Sequence, residues 1–84
     1  MDTTFTQLLD DYLPEGVERP LDGGKLFVEF GMDSMATLGL YIAVERGYGI
    51  KLSPGDIASG KLGTIDGLWG AIAEATAQPL DVAS

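Results

Sequence analysis

The sequence predicts an all-α protein: a small antiparallel helical bundle of three long helices and one short helix, with a long ordered loop between the first and second. Three observations carry that prediction. Apolar residues recur at helical spacing in separate segments of the chain. Cap and stop residues stand at the ends of those segments. No stretch shows the apolar–polar alternation of a strand, and there is no internal repeat.

Residues 3–13 carry Phe5, Leu8, Leu9, Tyr12 and Leu13 on one helical face, with Thr3 or Thr4 placed to cap the start and Pro14 and Gly16 to end it. Residues 14–33 lose the helical period and hold two prolines and four glycines. A loop of that length in a compact domain is as a rule functional or disordered. Val17, Leu21, Leu26, Phe27 and Phe30 are spaced through it, which predicts an ordered loop pinned onto the core. The second helix spans 34–48. Ser53-Pro54 then reads as a cap followed by proline at the first helical position, with Asp56 in the first turn and Gly60 ending a helix of one to two turns. The last helix covers 64–77, with Thr64 as its cap, Asp66 in its first turn, and Ile65, Leu68, Trp69, Ile72 and Ala73 as its apolar stripe. Residues 78–84 read as a flexible C-terminal tail, leaving one domain at 1–77.

Eighty-four residues sit near the size at which a single core is marginal, and an apolar share of 45% is enough to fold. With no cysteine, neither disulfides nor thiolate metal ligands are available; with no histidine, the commonest general base and metal ligand is missing as well. Thirteen acids against five bases give a net charge of −8, which disfavours nucleic acid and anionic membranes as partners. No apolar run is long enough to span a membrane and no signal peptide is recognisable, so the expected compartment is the cytoplasm.

The helix at 34–48 has one apolar face too many. At about 100° per residue, Thr37, Leu40, Tyr41, Val44 and Tyr48 fall on one side and Met35, Leu38 and Ile42 on the other, with Gly39, Glu45 and Arg46 around them. A bundle this small cannot readily bury a helix all round. The first stripe is predicted to face the core and the second to be exposed and to meet a partner; the alternative is that the 14–33 loop folds over the second. Gly39, Gly47, Gly67 and Gly70 inside helices each cost roughly 1 kcal/mol relative to alanine, unless close packing requires one, and together predict a mobile bundle.

The segment Phe30–Met35, F-G-M-D-S-M, places Asp33 and Ser34 where the loop gives way to this helix. As a plain cap, Ser34 would accept a backbone N–H two or three residues on. As a nucleophile it lacks a histidine, a G-x-S-x-G elbow and a paired lysine, so no enzyme activity is expected. As a point of covalent attachment through a phosphate, it would gain from the unpaired N–H groups and dipole of a helix start.

Residues 26–52, L-F-V-E-F-G-M-D-S-M-A-T-L-G-L-Y-I-A-V-E-R-G-Y-G-I-K-L, resemble the attachment region of acyl and peptidyl carrier proteins. That family reads L-F-x-x-L-G-x-D-S-L, an amphipathic helix, then E-x-x-F-G-I-x-I. The register continues through Pro54 and Asp56 to the helix at 64–72. The resemblance implies an acyl-carrier-protein-like bundle and 4′-phosphopantetheine on Ser34, installed from coenzyme A by a phosphopantetheinyl transferase that recognises Asp33. It implies docking of partners through Met35, Leu38, Ile42 and Glu45. Those partners would be an acyl- or aminoacyl-loading enzyme and downstream acyl-using enzymes, served by a monomer; the starting methionine and the tail fit a free-standing protein, and an excised domain would look similar.

Two departures narrow the expectation. Fatty-acid carriers have several acids along the second helix, where this chain has Gly39, Arg46 and Gly47 and keeps Glu45 nearly alone. Peptidyl carriers of modular synthetases read G-G-x-S, whereas this chain has G-M-D-S. A discrete carrier for an acyl, aminoacyl or peptidyl intermediate of a specialised pathway follows from the resemblance. The competing reading is an unmodified acidic interaction module that uses the Met35, Leu38 and Ile42 face.

Overall fold

In chain order, the computed structural model has α1 (Thr3–Tyr12), a 3-10 turn (Phe27–Phe30), α2 (Ser34–Tyr48), α3 (Pro54–Ser59) and α4 (Ile65–Ala77). It describes residues 2–77, and the tail expected at 78–84 lies outside them. Among the described residues there is no strand, only an isolated bridge between Leu26 and Thr64. The protein is all-α.

Each helix starts on a side-chain cap. Asp2, not Thr3 or Thr4, caps α1, its carboxylate accepting the Phe5 N–H at 3.0 Å. An aspartate just before a threonine competes for the same orphan donors, and its charge is favoured at the positive end of the helix. Ser53 caps α3, with Pro54 next, and Gly60 ends the helix at φ +84°, a conformation glycine adopts without steric cost. Thr64 caps α4 by accepting the Gly67 N–H at 3.0 Å.

α1 packs most extensively against α2. Phe5 and Leu9 from α1, Leu40 and Val44 from α2, and Leu68 and Ile72 from α4 are buried in one core. The Phe5 and Trp69 rings stack with centroids 5.3 Å apart, joining α1 to α4. Close packing accounts for two of the helical glycines rather than one. A Cβ on Gly39 would lie 2.8 Å from Tyr12 Cε1, and one on Gly67 would collide with the Lys61 carbonyl. Gly39, on the border of the exposed stripe, is therefore also where α1 approaches α2. Gly70 faces open space.

The 14–33 segment is pinned by a few deep contacts. Phe27 is buried, and Val17, Leu21 and Phe30 are half-buried against the core. Leu26, expected with them, stays 45% exposed, while its backbone forms the bridge to Thr64. Around it the Phe27 N–H donates to the Gly63 carbonyl at 2.8 Å and the Asp66 N–H to the Gly23 carbonyl at 2.9 Å. This seam ties the loop to the start of α4. The Tyr41 hydroxyl, donating to the buried Leu62 carbonyl at 2.8 Å, ties α2 to the same region, and burial raises its pKa.

Candidate functional site

The entrance of α2 is organised by Asp33. Its backbone is extended, its Oδ1 accepts the Ala36 N–H at 2.8 Å, and its carbonyl accepts the Thr37 N–H at 3.0 Å and the Thr37 hydroxyl at 2.9 Å. Asp33 is the cap and Ser34 is the first helical residue, which removes the plain-cap reading of the serine. Ser34 is exposed, and its hydroxyl takes no hydrogen bond among the described residues. No base is bonded to it that could deprotonate it. It is a hydroxyl another protein can reach.

Ser34 lines a surface cleft of about 470 Å³. Buried Met32 and Tyr41 line it together with exposed Val28, Leu38 and Ile57, so most of its surface is apolar. A second apolar cleft of about 630 Å³ follows between α2 and α3, lined by Leu52, Pro54 and Ala58 and sharing Ile57 with the first. α3 buries none of its own residues, which leaves Ile57 free to serve both.

Beside the first cleft runs the second stripe of α2. Met35 is 79% exposed, Leu38 51% and Ile42 41%, while Leu40 and Val44 on the other side are fully buried. The loop does not cover the stripe: Val17, Leu21, Phe27 and Phe30 turn to the core, and Leu26 and Val28 stay exposed. Glu45 sits differently from its neighbours. Its Oε2 accepts the Leu52 N–H at 2.8 Å, so this acid holds the turn that follows α2.

Val28, Met32, Tyr41 and Ile57 were not foreseen as site residues. Val28 lies in, and Met32 just after, a 3-10 turn too short to show a period, and Tyr41 carries the core stripe's spacing while also lining the cleft. Ile57 had a signal: a lone large apolar residue on a short helix with no apolar partner at helical spacing.

No three His, Cys, Asp or Glu among the described residues are grouped to hold a metal ion, and no helix there is long and apolar enough to cross a membrane. No protein-family model matches the chain, and no curated protein matches it.

Proposed function

We propose that this chain is a discrete carrier protein that bears 4′-phosphopantetheine on Ser34 and presents an attached acyl, aminoacyl or peptidyl group to enzymes of a specialised biosynthetic pathway. The observation that carries the reading is the state of Ser34: exposed, unbonded and relieved of capping by Asp33 at the edge of an apolar cleft. The residues present fit the group. The Ser34 and Met35 N–H groups at the start of α2 have no acceptor among the described residues, which suits a phosphodiester there. When bound, the arm supplies a thiol that holds the cargo as a thioester, a sulfur this cysteine-free chain does not have.

Ser34 provides the oxygen for attachment, Asp33 fixes the helix start that a phosphopantetheinyl transferase must recognise, and Met35, Leu38 and Ile42 offer the surface on which a loading enzyme or an acyl-using enzyme docks. In this reading the four helices form a carrier-type antiparallel bundle, working as a monomer in the cytoplasm and catalysing nothing itself.

The test is intact mass after incubation with coenzyme A and a phosphopantetheinyl transferase. The wild type is expected to gain one arm, and Ser34→Ala none, with an unchanged thermal midpoint because the serine is not the cap. A folded wild type that gains no mass identifies the unmodified interaction module instead.

A further inference from the structure

The five basic residues are not equivalent. Arg19 pairs with Asp10 at 2.7 Å, Lys61 lies 3.8 Å from Asp56, and Lys25 sits 5.1 Å over the Phe30 ring. Arg46 and Lys51 have no acidic partner among the described residues. Both belong to the same end of the docking face. Arg46 follows Ile42 by one helical turn and so continues the Met35, Leu38, Ile42 stripe, and it is exposed. Lys51 lines the second apolar cleft. Glu45, the nearby acid, has its carboxylate on the Leu52 N–H. At the opposite end, beside Ser34 in the first cleft, stands exposed Asp33. Lys51 shares its surroundings with Glu45, Asp56 and Glu74, so the asymmetry rests on two residues: the face carries Asp33 at the attachment end, is apolar in the middle and carries Arg46 at the far end.

We infer that the surface docking on this face is a folded protein carrying a carboxylate opposite Arg46, and that this contact fixes the direction in which the partner lies along α2. The inference rests on the carrier reading of Ser34. Twelve residues of helix separate Ser34 from Arg46, about 18 Å along the axis. A partner whose apolar patch ends in an acid at that distance from its own active-site opening receives the attached group in one orientation. Reversed, it would set its acid against Asp33 and leave Arg46 against apolar surface. A second copy of this chain is a poorer occupant, because it would bring two bodies of charge −8 together over a three-residue stripe.

Arg46 also lies in the last turn of α2, where a cation favours the helix dipole, so the test must separate docking from helix stability. A photoreactive benzoylphenylalanine at Met35 in the full chain captures the docked protein in producing cells. That protein is purified, and its affinity for wild type and for Arg46→Glu is measured beside thermal melts of both. Expected is a roughly five- to tenfold weaker complex for Arg46→Glu with a melt only slightly lowered by the lost dipole interaction, and recovery of binding when one acid of the partner is changed to lysine. Equal or tighter binding by Arg46→Glu overturns the inference. So does a loss of affinity that no acid-to-lysine change restores, and so does capture of a second copy of this chain or of no protein. Mass gain at Ser34, measured on the same preparation, separates the two failures: a modified chain indifferent to Arg46 loses the polarity alone, whereas an unmodified chain loses the carrier reading.

Discussion

At the start of α1, Asp2 has φ −92° and ψ 174°; at the start of α2, Asp33 has φ −89° and ψ 179°. Each carboxylate accepts the N–H three residues on, from Phe5 and from Ala36, and each carbonyl accepts the hydroxyl of a threonine four residues on. The local sequences match as well, D-T-T-F-T against D-S-M-A-T. Beyond the cap they diverge. Asp2 also accepts the Tyr48 hydroxyl at 2.5 Å, and Phe5 is fully buried, so the first start is locked to the end of α2. Asp33 has no such third partner among the described residues, its Ala36 is small, and Ser34 and Met35 point into solvent. One cap motif thus makes a structural anchor in one place and an accessible surface in the other. The difference lies in what packs around it.

The largest effect that can break this comparison is in the first turn. Phe5→Ala should cost about 3–5 kcal/mol in urea unfolding, whereas Met35→Ala should stay within about 0.5 kcal/mol. A comparable loss for Met35→Ala would mean that the second start is packed too. Next come the caps. Asp33→Ala should lose about 1 kcal/mol, and Asp2→Ala should lower the thermal midpoint further because it strands Tyr48 as well. Combining Asp2→Ala with Tyr48→Phe should cost less than the two single changes added; full additivity would show that the bond contributes nothing.

The smallest effect is in pH dependence. The Tyr48 hydroxyl and then the Phe5 N–H hold the Asp2 carboxyl below its ordinary 3.8, so its contribution is present above that value and fades as pH falls beneath it. Burial, then the bond to Asp2, pushes Tyr48 from 10.0 up to about 12. Its contribution is present below pH 10 and is lost as pH rises through about 12. Melts of Tyr48→Phe between pH 8 and 12 should show a shallower alkaline decline than wild type. Some decline should remain from Tyr41, which is raised by burial alone. Identical alkaline slopes in both proteins would remove Tyr48 from the anchor.

The helices were legible because their ends are written in short-range chemistry: Ser53-Pro54, Gly60 and Thr64 act through neighbours within one turn. The two faces of α2 were legible for the same reason, since the spacing of Leu40 and Val44 against Met35 and Leu38 is a property of one helix. What the sequence left hidden depends on competition between neighbours or on distant residues. Asp33 took the cap from Ser34 because two adjacent polar groups competed for one donor. Gly39 turned out to face Tyr12, a contact set by how α1 crosses α2. Glu45 found its partner in Leu52, past the helix end. Leu26 stayed exposed while its neighbour Phe27 took the core position.

The seam between residues 23–27 and 63–66 also bears on where this chain can change length. Between Phe27, whose N–H is held by Gly63, and Ser34 lie only the 3-10 turn and the Met32 N–H to Phe27 carbonyl bond at 3.2 Å. An inserted or deleted residue there would rotate Ser34 off the cleft or pull Phe27 out of the core. Glu15 to Pro20 is exposed apart from half-buried Val17, and it has no such fixed points on both sides. Related chains that keep the same attachment geometry should therefore differ in length before Leu21 and agree residue for residue from Phe27 to Ser34.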